Sequence, residues 1–493
     1  WKRCSGRRAG GLSASPGPGD GRAGPEPAMM RAMPIHPAKK AAHSAEIVSS
    51  SELASMQLAL GKPAPKNHFP ATPIDADVAA QVIRDELLLD GNARLNLATF
   101  VTTEMEPQAT QLMAEVFDKN MIDKDEYPQT AEIESRCVSM LGDLWHATET
   151  GVGCSTTGSS EACMLGALAL KRRWQRRREA EGKPNDKPNL VLGINAQICW
   201  DKFCNFFEVE PKFVTMDGDR FTLGPEEAVA LCDENTIGVV CIMGSTFDGA
   251  YEPVSELNDA LDELQERTGL DIPIHVDGAS GGMVAPFLDR ELAWDFRVPR
   301  VASINTSGHK YGRVYPGVGW IIWRDEECLP EELVFKVNYL GGEMPTFALN
   351  FSRPGAQVIG QYYEFIRLGR EGFTAVQQAA RDAAMRLSKE LESRPEFHCI
   401  TDGSELPVFA FTTAPDVKAF DVYDVSRRLR ERGWQVPAYS FPKNREDLNV
   451  LRVVVRTGNV DLLELLLDDI DRLLPELHAQ SGPLDAKHGT FHH

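Results

Sequence analysis

The chain has 493 residues, which is enough for more than one domain and a substantial hydrophobic core. Its 52 basic and 72 acidic residues give a net charge of -20 and a pI near 5.1, which argues against a general nucleic-acid-binding protein. No apolar run approaches the roughly 20 residues that a membrane-spanning helix needs. The ten cysteines lack the paired spacing of a zinc site, so we expect no metal and reduced thiols in a cytoplasmic protein.

The first 45 residues differ in composition from the rest of the chain. They are rich in Gly, Pro, Ala, Ser and Arg, and carry 8 basic and 2 acidic residues. A segment with so few large apolar groups cannot bury enough surface to offset the entropy lost on ordering, so residues 1–45 are predicted to be a disordered tail. A targeting peptide is the alternative reading of this Arg-rich segment. The chain begins with Trp1, and Met29, Met30 or Met33 is a candidate start of translation.

Hydrophobic periodicity predicts helices and strands along the rest of the chain. Residues 46–94 are predicted to be an N-terminal helical segment, with a helix from Ile74 to Leu89. A further helix is predicted through Ala109 to Phe117. Strands then alternate with helices, which is typical of a mostly parallel sheet covered by helices on both faces. The predicted strands are 189–193, 237–243, 272–276, 301–305 and 319–323, and the helices include 163–178, 225–232 and 253–268.

The C-terminal part of the chain predicts a smaller α/β domain. We place a large domain at 95–372, the small domain at 373–475 and a C-terminal tail at 476–493. Ligand clefts commonly form where two domains meet. The predicted elements of this part are helices at 354–368, 373–392, 422–432 and 462–474, and strands at 408–413 and 450–456.

A turn rich in serine precedes one of the predicted helices. The segment STTGSSEA, residues 155–162, would place hydroxyl groups and the free N–H groups of a helix start beside each other. Such a turn binds phosphate through backbone donors, hydroxyls and the helix dipole. The alternative is an ordinary serine N-cap with Glu161 in the first turn of the helix.

Asp277 follows a short apolar run that should be a buried strand. A carboxylate at the carboxyl end of a buried parallel strand lies where open α/β sheets bind their ligands. Such an aspartate can keep a pyridinium nitrogen protonated, as a pyridoxal phosphate electron sink requires. The alternative is that Asp277 caps the turn that begins at Gly278.

Lys310 ends another predicted strand, 33 positions after Asp277. A lysine amine condenses with an aldehyde when burial or a nearby cation lowers its pKa. His309 is adjacent, and Ser307 and Gly308 leave the backbone open to a bulky ligand. A lone lysine on a surface loop is the alternative. If the serine turn, Asp277 and Lys310 all end elements of one sheet, they can converge on a single pocket.

Three motifs in this order resemble the pyridoxal-phosphate-dependent decarboxylases of the aspartate aminotransferase fold type (fold type I). They are GSSEA at 158–162, HVDGA at 275–279 and SGHKY at 307–311. Further segments are similar to the glutamate decarboxylases of bacteria and plants, and the likeness spans roughly 95–456. These segments are 95–100, 122–129, 199–200, 294–297, 340–342 and 350–354. The resemblance implies an α/β fold with a large, mostly parallel sheet domain and a smaller C-terminal α/β domain, and pyridoxal 5'-phosphate as the cofactor.

The resemblance also implies roles for individual residues. Lys310 would bind the cofactor's aldehyde, and Asp277 would pair with its pyridine nitrogen. The phosphate would be held by Ser159, Ser160 and His309, and by Ser352 of a neighbouring subunit. The remaining implied cofactor contacts are Thr246 at the ring substituents, Ala279 on one ring face and Gln197 on the other.

The substrate that the resemblance implies is L-glutamate, which is converted to 4-aminobutanoate and CO2 with uptake of one proton. Thr99, Phe100, Asn120 and Asp123 would surround the distal carboxylate of the substrate, and Arg452 would belong to the closed form of the site. Two facing carboxylates repel each other, so Asp123 fits there only if one of the pair is protonated. Turnover at acidic pH is therefore expected.

Other functions remain open from the sequence. A decarboxylase of another amino acid would share Lys310 and Asp277, and a carbon–carbon lyase of the same fold would release an aldehyde instead of CO2. A non-catalytic binding protein is a third alternative, against which the presence of both residues argues. By resemblance we expect a homo-oligomer, at minimum a dimer, with a hexamer plausible.

The C-terminal end differs from that of the plant enzymes. It reads LDAKHGTFHH and lacks their basic, Trp-containing calmodulin-binding extension. It resembles bacterial forms whose C-terminal histidine closes the site near neutral pH, because imidazole titrates in that range. A frayed tail or the remnant of a tag is the alternative.

Overall fold

The computed structural model describes residues 67–337 and 344–484. The tail predicted at 1–45, the motif at 340–342 and the C-terminal histidines lie outside these residues. The chain divides into two compact units, residues 1–90 and 91–493. In the first unit, helix α1 spans Ala76–Leu87, and the Asp75 side chain caps it by accepting from the backbone N–H groups of Asp77 and Val78.

A seven-stranded sheet organises the second unit. Its strands are β1 (Val152–Thr156), β2 (Asn189–Gly193), β3 (Glu210–Val214), β4 (Thr236–Ile242), β5 (Ile274–Asp277), β6 (Val301–Thr306) and β7 (Gly319–Trp323). They lie in the order β1-β7-β6-β5-β4-β2-β3. The pairs from β3 to β6 are parallel, and β7 is antiparallel to both of its neighbours, β6 and β1. The carboxyl ends of β1, β5 and β6 therefore lie at the same edge of the sheet.

Helices cover both faces of this sheet. They are α2 (Pro107–Glu115), α3 (Pro128–Leu144), α4 (Ser159–Ala180), α5 (Cys199–Phe206), α6 (Pro225–Leu231), α7 (Val254–Thr268), α8 (Ala285–Leu288) and α9 (Ala356–Glu392). Consecutive residues of β4 pack on opposite faces of the sheet. Val239 packs in the core with α3 and α7, and Val240 packs in the core with α4 and α5. Both faces of the strand are thus buried, as expected for a central parallel strand.

A four-stranded antiparallel sheet forms the smaller C-terminal part. Its strands are β10 (Phe397–Cys399), β11 (Val408–Thr413), β12 (Ala438–Ser440) and β13 (Asn449–Val454), in the order β10-β11-β13-β12. Helices α10 (Val422–Glu431) and α11 (Leu463–His478) pack on it with the second half of α9. Two short strands, β8 (Phe335–Val337) and β9 (Met344–Thr346), pair with each other. Helix α9 breaks at Gly369, where φ is 56°.

Most of the predicted elements are confirmed, with boundaries that differ by a few residues. The strands predicted at 189–193, 319–323 and 408–413 have those bounds in the structure. Some elements were not predicted: strands β1, β3, β8, β9, β10 and β12, and helices α3, α5 and α8. The sequence VGCST of β1 has small and polar residues, and β3 carries a proline at the edge of the sheet, so neither shows a clear strand pattern. The predicted domain boundaries stay predictions; the break at Gly369 lies near the one placed at 372.

In the residues that the structure describes, we find no helix that is both long and apolar enough to span a lipid bilayer.

Candidate active site

A cavity of about 490 Å³ opens at the shared edge where β1, β5 and β6 end. Its size suits a small-molecule ligand. Ten of the fourteen predicted site residues line it: Thr99, Phe100, Ser159, Ser160, Gln197, Thr246, Asp277, Ala279, His309 and Lys310. The structure therefore brings the serine turn, the strand-end aspartate and the lysine into one pocket.

Asp277 lies at the base of the cavity and is only 4% exposed. Its Oδ2 accepts a hydrogen bond from Trp200 Nε1 at 2.8 Å, and its Oδ1 accepts from Asn305 Nδ2 at 3.0 Å and from the backbone N–H of Ala279 at 3.1 Å. The three donors come from α5, from β6 and from the turn after β5. The carboxylate is therefore fixed from three directions.

Lys310 follows β6, and its Nζ is 3.3 Å from Ser280 Oγ and 5.1 Å from the centre of the Phe100 ring. Burial lowers the pKa of Lys310; the charge of Asp277 opposes this shift, and Arg452 adds to it. A lowered pKa increases the fraction of neutral amine, which is the form that attacks an aldehyde.

His309 lies beside the lysine in the cavity wall. Burial, together with the charge of Lys310, lowers the pKa of His309 to about 4, so the ring stays neutral near pH 7. Its Nδ1 is buried and has no hydrogen-bond partner among the described residues. A buried ring nitrogen without a partner is costly, which indicates that a ligand completes this position.

The serine turn at the start of α4 has the features of an anion site. Helix α4 begins at Ser159, with Gly158 as its N-cap, so the free N–H groups of its first turn lie at the cavity. Ser159 Oγ contacts Asn305 Nδ2 at 3.1 Å and Ser307 Oγ at 2.8 Å. The predicted start of this helix at 163 was four residues late, because the small polar residues before it gave no apolar period.

Glu161 fastens this turn to the rest of the molecule. Its carboxylate accepts from the backbone N–H and the hydroxyl of Thr157 at 2.8 and 2.9 Å, and from the backbone N–H of Asn350 at 3.1 Å. Glu161 lies in the first turn of α4 as expected, but the N-cap is Gly158 and not the serine of the alternative interpretation. Its side chain ties the helix start to the segment around Asn350.

Arg452 lies on β13 of the smaller sheet, and its side chain contacts two segments of the cavity wall. It donates to the backbone carbonyl of Thr246 at 2.5 Å and to that of Ala98 at 2.6 Å. Its guanidinium carbon is 4.9 Å from the centre of the Phe100 ring. Arg452 does not itself line the cavity, but it holds two segments that do.

Asn120, Asp123 and Ser352 form a separate cluster that does not line this cavity. Asn120 Nδ2 donates to Ser352 Oγ at 3.3 Å, and Asn120 Oδ1 accepts from the backbone N–H of Arg353 at 3.0 Å. The backbone N–H of Asp123 donates to the carbonyl of Asn120 at 3.2 Å. Their roles stay predictions; Ser352 was already expected to act from a neighbouring subunit.

Sequence reasoning assigned no role to several residues at the base of the cavity. Trp200 and Asn305 bind Asp277, and Ser280 contacts Lys310. The signal for Asn305 was present: Ser303 and Asn305 alternate with apolar residues in β6, and buried polar side chains require partners. Nothing in the sequence placed Trp200 opposite Asp277, because that contact joins residues 77 positions apart.

Two thiols lie close to Asp277. One atom each of Cys163, Cys199 and Asp277 lie within 4.8 Å of one another. Burial raises the pKa of Cys163 well above its usual value, which keeps the thiol protonated, and Asp277 already accepts three hydrogen bonds. This chemistry suits hydrogen bonding better than metal ligation, and the expectation of no metal stays a prediction.

The cavity fits pyridoxal phosphate by the chemistry of its groups. It offers an amine of lowered pKa for an aldehyde, a fixed carboxylate for a ring nitrogen and a helix start with hydroxyls for a phosphate. His309, whose Nδ1 has no partner among the described residues, lines the same cavity as Ser159.

Comparison with known proteins agrees with this fit. The family model for the pyridoxal-dependent decarboxylase conserved domain matches residues 70–414. The chain belongs to the pyridoxal-dependent decarboxylase family. The resemblance drawn from three motifs is thereby confirmed, and pyridoxal phosphate is the cofactor of this decarboxylase.

Relatives of this decarboxylase match most of its length. It is 54% identical over 411 residues to a glutamate decarboxylase of Aliivibrio fischeri, covering 82% of this chain and 88% of that protein. It is 50% identical over 418 residues to glutamate decarboxylase 1 of Arabidopsis thaliana, covering 84% and 83%. The solved structure of a Lactobacillus brevis glutamate decarboxylase superposes with a TM-score of 0.83 at 44% identity, covering 88% and 98%. The expected fold type is confirmed.

A more distant solved structure shares the fold. A sphingosine-1-phosphate lyase of Burkholderia pseudomallei superposes with a TM-score of 0.72 at 21% identity, covering 85% of this decarboxylase and 95% of that chain. This likeness extends to the fold alone.

Proposed function

We propose that this decarboxylase converts L-glutamate to 4-aminobutanoate and CO2, with uptake of one proton. The observation that carries the proposal is the shared cavity of Lys310, Asp277 and the start of α4. Relatives at about 50% identity over most of the chain bear the name glutamate decarboxylase, which supports glutamate as the substrate.

Different residues of the cavity would hold different parts of the cofactor. When bound, pyridoxal phosphate withdraws electrons from the bond to the substrate's α-carboxylate. In our proposal, Lys310 binds the aldehyde and Asp277 keeps the ring nitrogen protonated. Ser159, Ser160, His309 and the partner subunit's Ser352 hold the phosphate, while Ala279 and Gln197 enclose the ring and Thr246 lies at its substituents.

Asp277 and Lys310 would also hold or transfer protons during the reaction. The fixed carboxylate of Asp277 stabilises positive charge on the ring nitrogen, which is the end toward which electrons move. Lys310 has a lowered pKa and lies in the cavity, so it can exchange a proton at the reacting carbon as well as bind the aldehyde. Asp277 is only 4% exposed, which keeps water away from its hydrogen bonds with Trp200 and Asn305.

The substrate's distal carboxylate belongs, in our proposal, near Thr99 and Phe100. Both line the cavity, and the centre of the Phe100 ring is 5.1 Å from Lys310 Nζ and 4.9 Å from the guanidinium carbon of Arg452. Asn120 and Asp123 would complete this end from a neighbouring subunit, as Ser352 would complete the phosphate end. The site is then composite, which supports a homo-oligomer with a dimer as its minimum and a hexamer as a larger form.

We further propose a cytoplasmic location. The nine cysteines in the described residues are free thiols, and seven of them are buried, which suits a reducing compartment.

The experiment that tests the function is incubation with L-glutamate across pH 4 to 8, with and without added pyridoxal phosphate, while CO2 is trapped and 4-aminobutanoate is measured. We expect CO2 and 4-aminobutanoate in equal amounts, dependent on the cofactor and greatest at acidic pH. A panel of other amino acids is the control, and preferred turnover of one of them would replace glutamate in the proposal.

Lys310→Ala should abolish both turnover and the near-visible absorbance of the bound cofactor; normal turnover by this variant would refute the role of the lysine.

A further inference from the structure

Four polar side chains form a cluster on one face of the large sheet, below the cavity. Strand β5 carries His275 and Asp277, and β6 carries Ser303 and Asn305. In the register of these strands, His275 is opposite Ser303 and Asp277 is opposite Asn305. Alternate residues of a strand point to the same face, so the four side chains meet. We call this cluster the polar ladder; each of its members is at most 4% exposed.

Hydrogen bonds set the direction of each donor in the polar ladder. His275 Nδ1 is 2.7 Å from Ser303 Oγ, and His275 Nε2 is 2.8 Å from Asn305 Oδ1. Asn305 Nδ2 donates to Asp277 Oδ1 at 3.0 Å and to Ser159 Oγ at 3.1 Å. Because Asn305 Oδ1 can only accept, His275 carries its hydrogen on Nε2, and its Nδ1 accepts from the Ser303 hydroxyl. A flipped Asn305 amide would turn its oxygen toward the Asp277 carboxylate and lose both donations.

Two helices prevent the imidazole from moving. The Trp200 ring on α5 meets the His275 ring edge-on at 5.3 Å, and its Nε1 donates to Asp277 Oδ2 at 2.8 Å. On α4, Gly166 lies so close that a Cβ there would be 2.5 Å from His275 Cε1. Burial lowers the pKa of His275 to about 4, so the ring stays neutral above that pH and keeps one donor and one acceptor.

We propose that His275 and Asn305 are positioning residues for the cofactor: His275 fixes the Asn305 amide, and Asn305 holds the Asp277 carboxylate and the Ser159 hydroxyl at one separation. This inference rests on the roles proposed above for Asp277 at the ring nitrogen and Ser159 at the phosphate. Both ends of the cofactor then depend on one amide. A histidine buried only to support the core would have no such effect on cofactor binding.

The test uses two substitutions of His275 that separate its two nitrogens. The amide nitrogen of His275→Gln can occupy the Nε2 position and donate to Asn305, whereas His275→Asn places polar atoms only near the Nδ1 position. Each apoprotein is titrated with pyridoxal phosphate, using tryptophan fluorescence for the dissociation constant and the absorption maximum of the bound cofactor as a second readout. We expect His275→Gln to bind within about threefold of the parent, and His275→Asn and Asn305→Ala to bind at least about tenfold more weakly with a shifted maximum.

A matched control separates positioning from loss of stability. Asn189 is also buried in the large sheet, at the opposite end of the strands; its Nδ2 donates to Asp233 Oδ1 at 2.8 Å and its Oδ1 accepts from Thr236 at 2.7 Å. Asn189→Ala should lower the free energy of unfolding about as much as Asn305→Ala, while its affinity for the cofactor stays at the parent value.

Two outcomes distinguish failure of this inference from failure of the proposed function. If Asp277→Ala binds the cofactor as tightly as the parent, the role of Asp277 itself is wrong. If Asp277→Ala binds weakly but His275→Gln and His275→Asn bind alike, or Asn305→Ala binds as tightly as Asn189→Ala, the positioning role is overturned.

Discussion

Lys310 lies among groups with opposing effects on its protonation. Burial and the charge of Arg452 lower its pKa, and the charge of Asp277 raises it. Burial is the largest of these influences, so the neutral amine is favoured more at Lys310 than at an exposed lysine. The neighbouring His309 stays neutral for the same reason and adds no positive charge near pH 7.

The first prediction concerns the pH dependence of stability at His275. Its pKa is lowered from 6.5 to about 4 on folding, so below pH 6.5 the unfolded chain binds a proton that the folded chain does not. The free energy of unfolding therefore falls as pH falls toward 4, by up to about 1.4 kcal/mol per pH unit from this residue. His275→Gln cannot titrate, so between pH 7 and 4.5 its apoprotein should lose about 2 kcal/mol less than the parent.

Urea unfolding of the apoprotein at the two pH values measures this difference. His68→Gln is the control for the substitution itself, because the His68 side chain is exposed. An equal reduction of the pH dependence in both variants would contradict the assignment to the buried ring.

At the residue scale, the sequence predicted that Lys310 and Asp277 share one pocket, but it did not predict the residues that hold Asp277 in place. Lys310 and Asp277 stand at the ends of apolar strand patterns. A polar residue in such a position can be recognised in the sequence as a candidate ligand contact, because ligands bind at strand ends. Trp200 and Asn305 act on Asp277 through contacts across the fold, which depend on strand order and helix placement. Those are properties of the folded chain, and local patterns do not encode them.

Helix α4 shows how one element serves both the core and the site. Its first turn presents Ser159 and Ser160 to the cavity, and further along Gly166 allows the helix to lie against His275. Glu161 joins its start to the backbone at Thr157 and Asn350. The position of the serine turn at the cavity is therefore set by the packing of the whole helix.

The second prediction concerns Glu161. Removing its carboxylate in Glu161→Ala leaves the backbone N–H groups of Thr157 and Asn350 without their acceptor, which should loosen the turn. We expect the affinity for pyridoxal phosphate to fall by about tenfold, while the affinity for pyridoxal, which lacks the phosphate, stays the same. Titration of both ligands into the apoprotein measures this.

Glu179→Ala is the matched control, since Glu179 lies on the exposed last turn of the same helix. Equal loss of affinity for the two ligands in Glu161→Ala would show that the substitution acts on the cavity as a whole rather than on the phosphate end.

The elements themselves were predicted unevenly. The buried strands β2 and β7 are continuous apolar runs and were placed with their observed bounds. The edge strand β3 contains a proline, and β1 is short and polar, so tertiary pairing decides their conformation. The start of helix α4 was predicted too late in the sequence because the first turn of the helix has small, polar residues.

At the scale of the whole molecule, the separation of Asn120 and Ser352 from the cavity bears on assembly. These residues contact each other and lie outside the cavity lining of their own chain. If they serve a neighbouring copy, each complete site needs two chains, and an isolated subunit would lack part of both the phosphate end and the substrate end.

The third prediction tests this composite site by mixing inactive variants. Lys310→Ala is combined with the double variant Asn120→Ala/Ser352→Ala under conditions that allow subunits to exchange. In a mixed dimer, one site receives both defects and the other receives neither, so roughly a quarter of all sites should be intact after random pairing. Glutamate turnover should recover to about that fraction.

The control mixes Lys310→Ala with Asp277→Ala. Both residues line one cavity of one chain, so every site in the mixture carries one defect and no recovery is expected. Failure of the first mixture to recover, with exchange confirmed by mass spectrometry, would contradict a shared site.

Arg452 connects the smaller sheet to the cavity at the edge of the larger sheet. The Arg452 side chain on β13 donates to the backbone carbonyls of Thr246 and Ala98, and so restrains together two segments that line the cavity. A displacement of β13 would therefore pull on both at once. Substitutions in the core that packs against β13, far from the cavity, should therefore change kcat and KM together, because Arg452 transmits a shift of β13 to both segments.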